Sequence, residues 1–181
     1  MGYDDDMTRE RREAIYSFAE KIRKVLELGV PVDLCQVIES LGGEIWEEEL
    51  DRDISGKINK VDEKFMITLN SLHPDNRKNF TLAHELGHLF LHMGYITDPE
   101  KWANINEYVD SPYYRIGYSE EEYEANQFAG ALLMPRDEYK KFLDANGDGN
   151  RINISKISRY FNVSDEAALT RGKWLGFFRW N

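Results

Sequence analysis

The stretch FTLAHELGHLFLH, residues 80–92, places three histidines at intervals of four: His84, His88 and His92. Side chains four residues apart on an α-helix project from nearly the same face, about 6 Å apart along the axis. The imidazoles of His84 and His88 can therefore reach one metal ion. Each step of four residues also turns the side chain by about 40°, so we expect His92 to support the site rather than to bind the ion.

Glu85 directly follows the first of these histidines. One residue turns the side chain by about 100°, which takes Glu85 away from the ion but leaves it able to hydrogen-bond water beside the ion. A metal ion lowers the pKa of water to about 7 and polarises a carbonyl, while a carboxylate can move a proton from the water to a leaving amine. The arrangement predicts metal-assisted hydrolysis with Glu85 as the general base.

A third ligand is needed, because the H-E-x-x-H string alone is short enough to occur by chance. The downstream segment EEYEANQF offers Glu122 and, four residues on and on the same helix face, Asn126. In zinc proteases with two histidines and one glutamate, the glutamate comes from a later helix, and a polar residue one turn on can bond a ligand histidine. We predict these two roles for Glu122 and Asn126, with Glu124 as an alternative ligand.

Sequence patterns also predict the elements that hold these segments, in an α+β fold. Three stretches predict a small three-stranded meander: the alternating EIWEEEL, ISGKINKV, which Gly56 interrupts, and the β-branched and aromatic KFMITLN. The third leads into the histidine-bearing helix, so we expect it to be the edge on which an extended substrate adds a strand, with an ordinary interior strand as the alternative. Helices are predicted over residues 8–28, 33–41, 75–92, 119–134, 137–143, 154–161 and 165–174.

A protease also needs a group that stabilises the oxyanion, usually a tyrosine, a histidine or an arginine. Residues 95–118 form a long connection without clear periodicity, which is typical of a functional loop or a lid. Candidates for oxyanion or substrate contact are His73, Arg77, Tyr113, Tyr114 and Tyr118. The sequence does not choose among them.

The composition limits the other function classes. A net charge of −10 argues against direct nucleic-acid binding. No apolar run is long enough to cross a bilayer, and the acidic first residues argue against a signal peptide. The single cysteine, Cys35, fits a reducing compartment. We therefore expect a cytoplasmic protein that does not bind membranes, and its oligomeric state stays open.

The two motifs together resemble a known family. RKNFTLAHELGHLFLH followed by EEYEANQFAGALLMP looks like the ImmA/IrrE family of bacterial and phage metallopeptidases, in its short, phage- or mobile-element-like form, over roughly residues 43–135. The resemblance implies a zincin-like, gluzincin-type α+β domain in which His84, His88 and Glu122 bind one Zn²⁺ and Glu85 is the catalytic base. Another divalent ion, or an empty site in a purified sample, stays open.

The resemblance also implies a substrate, a helix-turn-helix repressor of the XRE or phage type. We expect a metalloendopeptidase domain over residues 1–135, N-terminal helices included, and a helical extension over 136–181 packed on or beside it. The alternative is a metal-bearing partner that binds a repressor or a toxin–antitoxin-like regulator without hydrolysing it. The two functions differ in whether they need Glu85.

Overall fold

The computed structural model describes residues 7–105, 119–147 and 152–180. Within these ranges the chain has an α+β fold in which helices pack against a three-stranded sheet. The strands are β1 (Glu44–Glu48), β2 (Gly56–Val61) and β3 (Lys64–Asn70). The helices are α1 (Arg9–Val25), α2 (Leu34–Ser40), α3 (Asp75–Gly87), α4 (Pro99–Asn104), α5 (Glu120–Leu133), α6 (Arg136–Asn146), α7 (Ile154–Phe161) and α8 (Asp165–Trp174), and a π turn (His88–His92) directly follows α3.

The strand order is β1–β3–β2, with β1 parallel and β2 antiparallel to β3. The predicted meander is therefore wrong, and so is the expectation that β3 is an edge strand. The amide of Asn70 explains the order: its Nδ2 donates to the carbonyl oxygens of Leu50 and Ile54, at 3.2 and 2.8 Å, which holds the β1–β2 connection across the end of β3. β1 and β2 are left as the edges of the sheet.

The predicted helix over residues 75–92 is α-helical only as far as Gly87. In the π turn the backbone N–H of Met93 donates to the carbonyl oxygen of His88, five residues back, at 2.9 Å. A π turn carries more residues per turn than an α-helix, so a side chain four residues on is rotated less than it would be on an α-helix. His92 therefore lies beside His88, with ring centroids 4.9 Å apart.

Helices α3 and α5 pack closely, which brings the two motifs together. Gly87 allows the two helices to come this close, because a Cβ added there would lie 2.9 Å from the Cα of Ala125 and 3.2 Å from its carbonyl oxygen. Helix α1 also packs against α5. Buried apolar side chains fill the space between these helices and the sheet, among them Ile15, Ala19, Ile58, Phe65, Ile67, Leu86, Leu89, Phe128 and Leu132.

The helices after residue 135 contact both α1 and the end of α5. Arg171 of α8 is buried, donates from Nε to the carbonyl oxygen of Met134 at 3.1 Å, and lies over the ring of Tyr16, 4.3 Å from its centroid. The division into 1–135 and 136–181 stays a prediction. Among the helices in the described ranges, none is long and apolar enough to span a membrane.

Candidate metal centre

Three side chains that could bind a metal ion lie close together where α3 and the π turn face α5. His84 and His88 lie on successive turns, in the last part of α3 and at the start of the π turn, while Glu122 lies in the first turn of α5. Ser119 caps that helix, since its Oγ accepts from the backbone N–H of Glu122 at 3.3 Å. The α3–α5 packing therefore places a carboxylate opposite two imidazoles.

The distances between the three side chains fit one metal ion. The Nε2 atoms of His84 and His88 are 3.0 Å apart, and the carboxylate oxygens of Glu122 lie 3.3 Å from the first and 3.1 Å from the second. Ligands at about 2.0–2.1 Å from a tetrahedral zinc ion are about 3.3 Å from one another. Two nitrogen donors and one carboxylate are also a ligand set that zinc accepts, with a fourth position left for water or substrate.

Glu122 is ionised in this setting. Burial raises the pKa of its carboxyl group, but hydrogen bonds and charge interactions with His84 and His88 outweigh burial and hold the pKa well below its ordinary range. The carboxylate can therefore act as an anionic ligand throughout the neutral pH range.

The outward nitrogen of His84 meets Asn126. Nδ1 of His84 lies 3.0 Å from Oδ1 of Asn126, one turn along α5 from Glu122. An amide oxygen only accepts, so Nδ1 of His84 donates to it; in a neutral imidazole the lone pair is then on Nε2, which faces the other ligands. This is the contact that the spacing of Glu122 and Asn126 predicts.

The outward nitrogen of His88 meets a longer chain of contacts. Nδ1 of His88 lies 2.9 Å from Nδ1 of His92, and Nε2 of His92 lies 3.1 Å from Oε2 of Glu124. Arg11 of α1 then donates to both oxygens of Glu124, from Nη2 to Oε2 at 2.7 Å and from Nε to Oε1. Glu124 thus faces His92 and Arg11, whereas the metal-ligand group in the described residues consists of His84, His88 and Glu122.

The surroundings favour a neutral His92 and an ionised Glu124. Burial and the neighbouring His88 lower the pKa of His92, so its imidazole is neutral at pH 7. Burial raises the pKa of Glu124, but the hydrogen bonds from Arg11 and His92 outweigh it and leave the pKa below its ordinary value. No role for Arg11 is predictable from the sequence, because 113 residues separate it from Glu124 and no local pattern links them.

Glu85 is completely buried on α3. Edge strand β2 begins against it: a Cβ added to Gly56 would lie 3.5 Å from Oε1 of Glu85 and 2.6 Å from the Cγ2 of Thr81. Only a glycine allows this close approach of the strand to the helix. The carboxylate of Glu85 therefore lies between the histidine-bearing helix and an edge strand.

The remaining predicted contacts are only partly described. Arg77 donates from Nη2 to Oγ of Ser55 at 3.1 Å, directly before the start of β2. His73 precedes α3, and burial, followed by the charges of Arg77 and Lys78, lowers its pKa. The three tyrosine candidates, Tyr113, Tyr114 and Tyr118, and most of the predicted lid lie outside the described residues.

Comparisons with known proteins agree with this architecture. A peptidase family model described as "IrrE N-terminal-like domain" matches residues 39–173. Among solved structures, a Mycobacterium tuberculosis transcriptional regulator has a similar fold, with a TM-score of 0.60 and 14% sequence identity. That alignment covers 91% of this chain and 48% of the regulator, so the chain spans about half of the regulator's length. A search of curated proteins found no match.

The family match includes both helices that carry the candidate ligands, and it extends over most of the chain. It confirms the resemblance predicted from the two motifs and points to metallopeptidase chemistry. The chain belongs to the family of peptidases with an IrrE N-terminal-like domain, the ImmA/IrrE family.

Proposed function

We propose that this protein is a zinc-dependent endopeptidase of the gluzincin type that cleaves a protein regulator. The observation that carries the proposal is the convergence of His84, His88 and Glu122, whose facing atoms are 3.0–3.3 Å apart. The buried Glu85 directly follows His84 on the same helix. Each of these four side chains has the chemistry that its position in such an enzyme requires.

His84, His88 and Glu122 would hold the ion, with Asn126 and His92 orienting the two histidines. Bound zinc would supply a Lewis acid that polarises the scissile carbonyl and acidifies water. Glu85 accepts a proton from the attacking water and delivers it to the leaving amine, which completes hydrolysis of the peptide bond. Burial of Glu85 keeps its carboxylate away from competing bulk water.

Edge strand β2 is the proposed docking strand for the substrate. It is an edge of the sheet, and its first residue, Gly56, lies against Glu85. An extended peptide that adds to this edge through backbone hydrogen bonds would run past the catalytic carboxylate. Arg77, which bonds Ser55 beside this strand, is the proposed oxyanion or substrate contact among the described candidates.

The proposed substrate is a helix-turn-helix repressor in the cytoplasm. Membership of the ImmA/IrrE family supports a protein substrate, and the solved structure with a similar fold is described as a transcriptional regulator. Cleavage of a repressor would release the genes that it silences. The net charge of −10 favours a protein partner over direct contact with DNA.

Substitution of Glu85 by Gln tests the proposal, because Gln keeps the shape of the side chain but cannot accept the proton. Zinc-loaded protein is incubated with purified helix-turn-helix repressors from the same genome, and fragments are followed by mass spectrometry. We expect the wild type to cleave a repressor, and E85Q to bind zinc and the repressor without cleaving it. Glu63→Gln, in the turn between β2 and β3, is the matched control and should cleave normally.

Repressor control that survives in E85Q would contradict the protease function. It would instead support the alternative, a metal-bearing partner that sequesters the regulator without hydrolysis. Zinc content measured on the same samples shows whether the metal centre itself is intact in each variant.

A further inference from the structure

The contact chain behind His88 allows only one placement of its hydrogen atoms if His88 is to bind a metal through Nε2. That nitrogen needs its lone pair, so the hydrogen of a neutral His88 must be on Nδ1. Nδ1 lies 2.9 Å from Nδ1 of His92, which must then accept and carry its own hydrogen on Nε2. Nε2 of His92 in turn donates to Oε2 of Glu124, 3.1 Å away.

Arg11 fixes the far end of this chain. Its guanidinium donates two hydrogen bonds to the carboxylate of Glu124 in the bidentate geometry that favours an ionised acid. An ionised carboxylate has no hydrogen to donate, so Glu124 can only accept the hydrogen bond from Nε2 of His92. The chain is buried at His92 and Glu124, whereas the side chain of Arg11 is 47% exposed.

We propose that Arg11 is a positioning residue for the metal centre: through Glu124 and His92 it fixes His88 in the tautomer and orientation that metal binding requires. This inference rests on the proposed function. It also gives α1 a role at the site, although α1 lies before residues 39–173, which the family model matches.

Two variants of Arg11 and a matched control test the proposal in the full chain. Arg11→Ala removes both hydrogen bonds to Glu124, and Arg11→Lys keeps the charge but loses the bidentate geometry. Arg9→Ala removes an exposed arginine from the same helix and leaves the chain of contacts intact. Because Arg11 is half-exposed, we expect all three variants to fold, which circular dichroism checks.

Two quantities are measured for each variant. The zinc dissociation constant comes from competition with a chelator, and the tautomer of His88 in the metal-free protein comes from long-range ¹⁵N–¹H spectra. We expect R11A to weaken zinc binding by about 10-fold, within the range known for outer partners of ligand histidines, and to increase the Nε2–H tautomer of His88. R11K should lie between R11A and the wild type, and R9A should match the wild type.

Zinc affinity and His88 tautomer that are both unchanged in R11A would overturn this inference and leave the proposed function standing. A wild-type protein that does not bind zinc would refute the proposed function instead. A merely structural effect of R11A would lower thermal stability without shifting the tautomer, and that result also counts against the positioning role.

Discussion

The two histidines of the candidate metal centre are held in different ways. His84 is supported by one neutral side chain, Asn126, which is exposed and belongs to the same helix as the third ligand. His88 is supported by a buried neutral imidazole, His92, and then by an ion pair between Glu124 and Arg11. Both supports select the same ring nitrogen for metal binding, but one is local and the other joins three separate elements.

This difference shows where each support comes from. The His84 support requires only two regular helices in contact, because residues four apart on α5 supply both a ligand and its partner. The His88 support requires a π turn to bring His92 beside His88, and α1 to bring Arg11 to Glu124. The second support therefore depends on the assembled fold, so changes far from the ion can reach it.

The largest effect on zinc affinity is expected for Glu122, the candidate ligand whose carboxylate contacts both His84 and His88. Glu122→Gln removes the negative charge between His84 and His88 while the amide keeps nearly the same shape. We expect zinc affinity to fall by more than about 100-fold, beyond the range for outer partners. Titration with zinc under chelator competition measures it, and Glu120→Gln, exposed in the same first turn, should bind as the wild type.

The next effect concerns the contact that brings the two helices together. Gly87→Ala places a methyl group 2.9 Å from the Cα of Ala125, so α3 and α5 must separate. We expect a loss of about 1–3 kcal/mol in the free energy of unfolding, measured by urea denaturation, with weaker zinc binding. The matched control is Gly130→Ala in α5, where the nearest atom would be 3.4 Å away. It should be neutral or stabilising by up to about 1 kcal/mol, because alanine favours a helix, and equal losses in both variants would contradict the packing argument.

A smaller effect on zinc affinity is expected from the loss of Asn126, which supports His84. Asn126→Ala removes the acceptor for Nδ1 of His84, and we expect zinc affinity to fall by about 10- to 100-fold while overall stability changes little, since Asn126 is exposed. Isothermal titration calorimetry and thermal melting separate the two quantities. Asn126→Asp keeps an acceptor oxygen and should retain most of the affinity, and a loss as large as that of the alanine variant would argue against this hydrogen bond.

The smallest expected effect is the coupling between the two supports. Asn126 acts on His84 and Arg11 acts on His88, so the two supports meet only at the candidate ligands, where both histidines contact Glu122. The losses of binding free energy in N126A and R11A should therefore add in the double variant to within about 0.5 kcal/mol. A larger departure in a double-mutant cycle of zinc dissociation constants would show that the two supports act as one unit.

The parts of the site that could be predicted from sequence are those set by helix periodicity. The spacing of His84 and His88, and that of Glu122 and Asn126, needs only 3.6 residues per turn to place each pair on one face. The α+β class and the existence of three strands also follow from local patterns. Family membership, which rests on the same two motifs, is confirmed by the family match.

The strand order and the pair of Arg11 and Glu124 depend on contacts between residues far apart in sequence. The strand order is wrong in the prediction because nothing near Asn70 shows that its amide binds the β1–β2 connection. The prediction of a continuous α-helix over residues 75–92 did not include the π turn, because the hydrogen-bond pattern of a π turn has no clear sequence signal. The pair of Arg11 and Glu124 could not be found from either segment alone, since each arginine in α1 looks like an ordinary surface residue.

Zinc stoichiometry tests the central claim most directly. The full chain is loaded with zinc, dialysed against metal-free buffer and analysed for metal, beside a variant that carries both His84→Ala and His88→Ala. We predict about one zinc ion per wild-type chain and none in the double variant, because both nitrogen donors come from these two residues. A folded wild-type protein that retains no zinc, or a double variant that retains as much as the wild type, would contradict the assignment of this site.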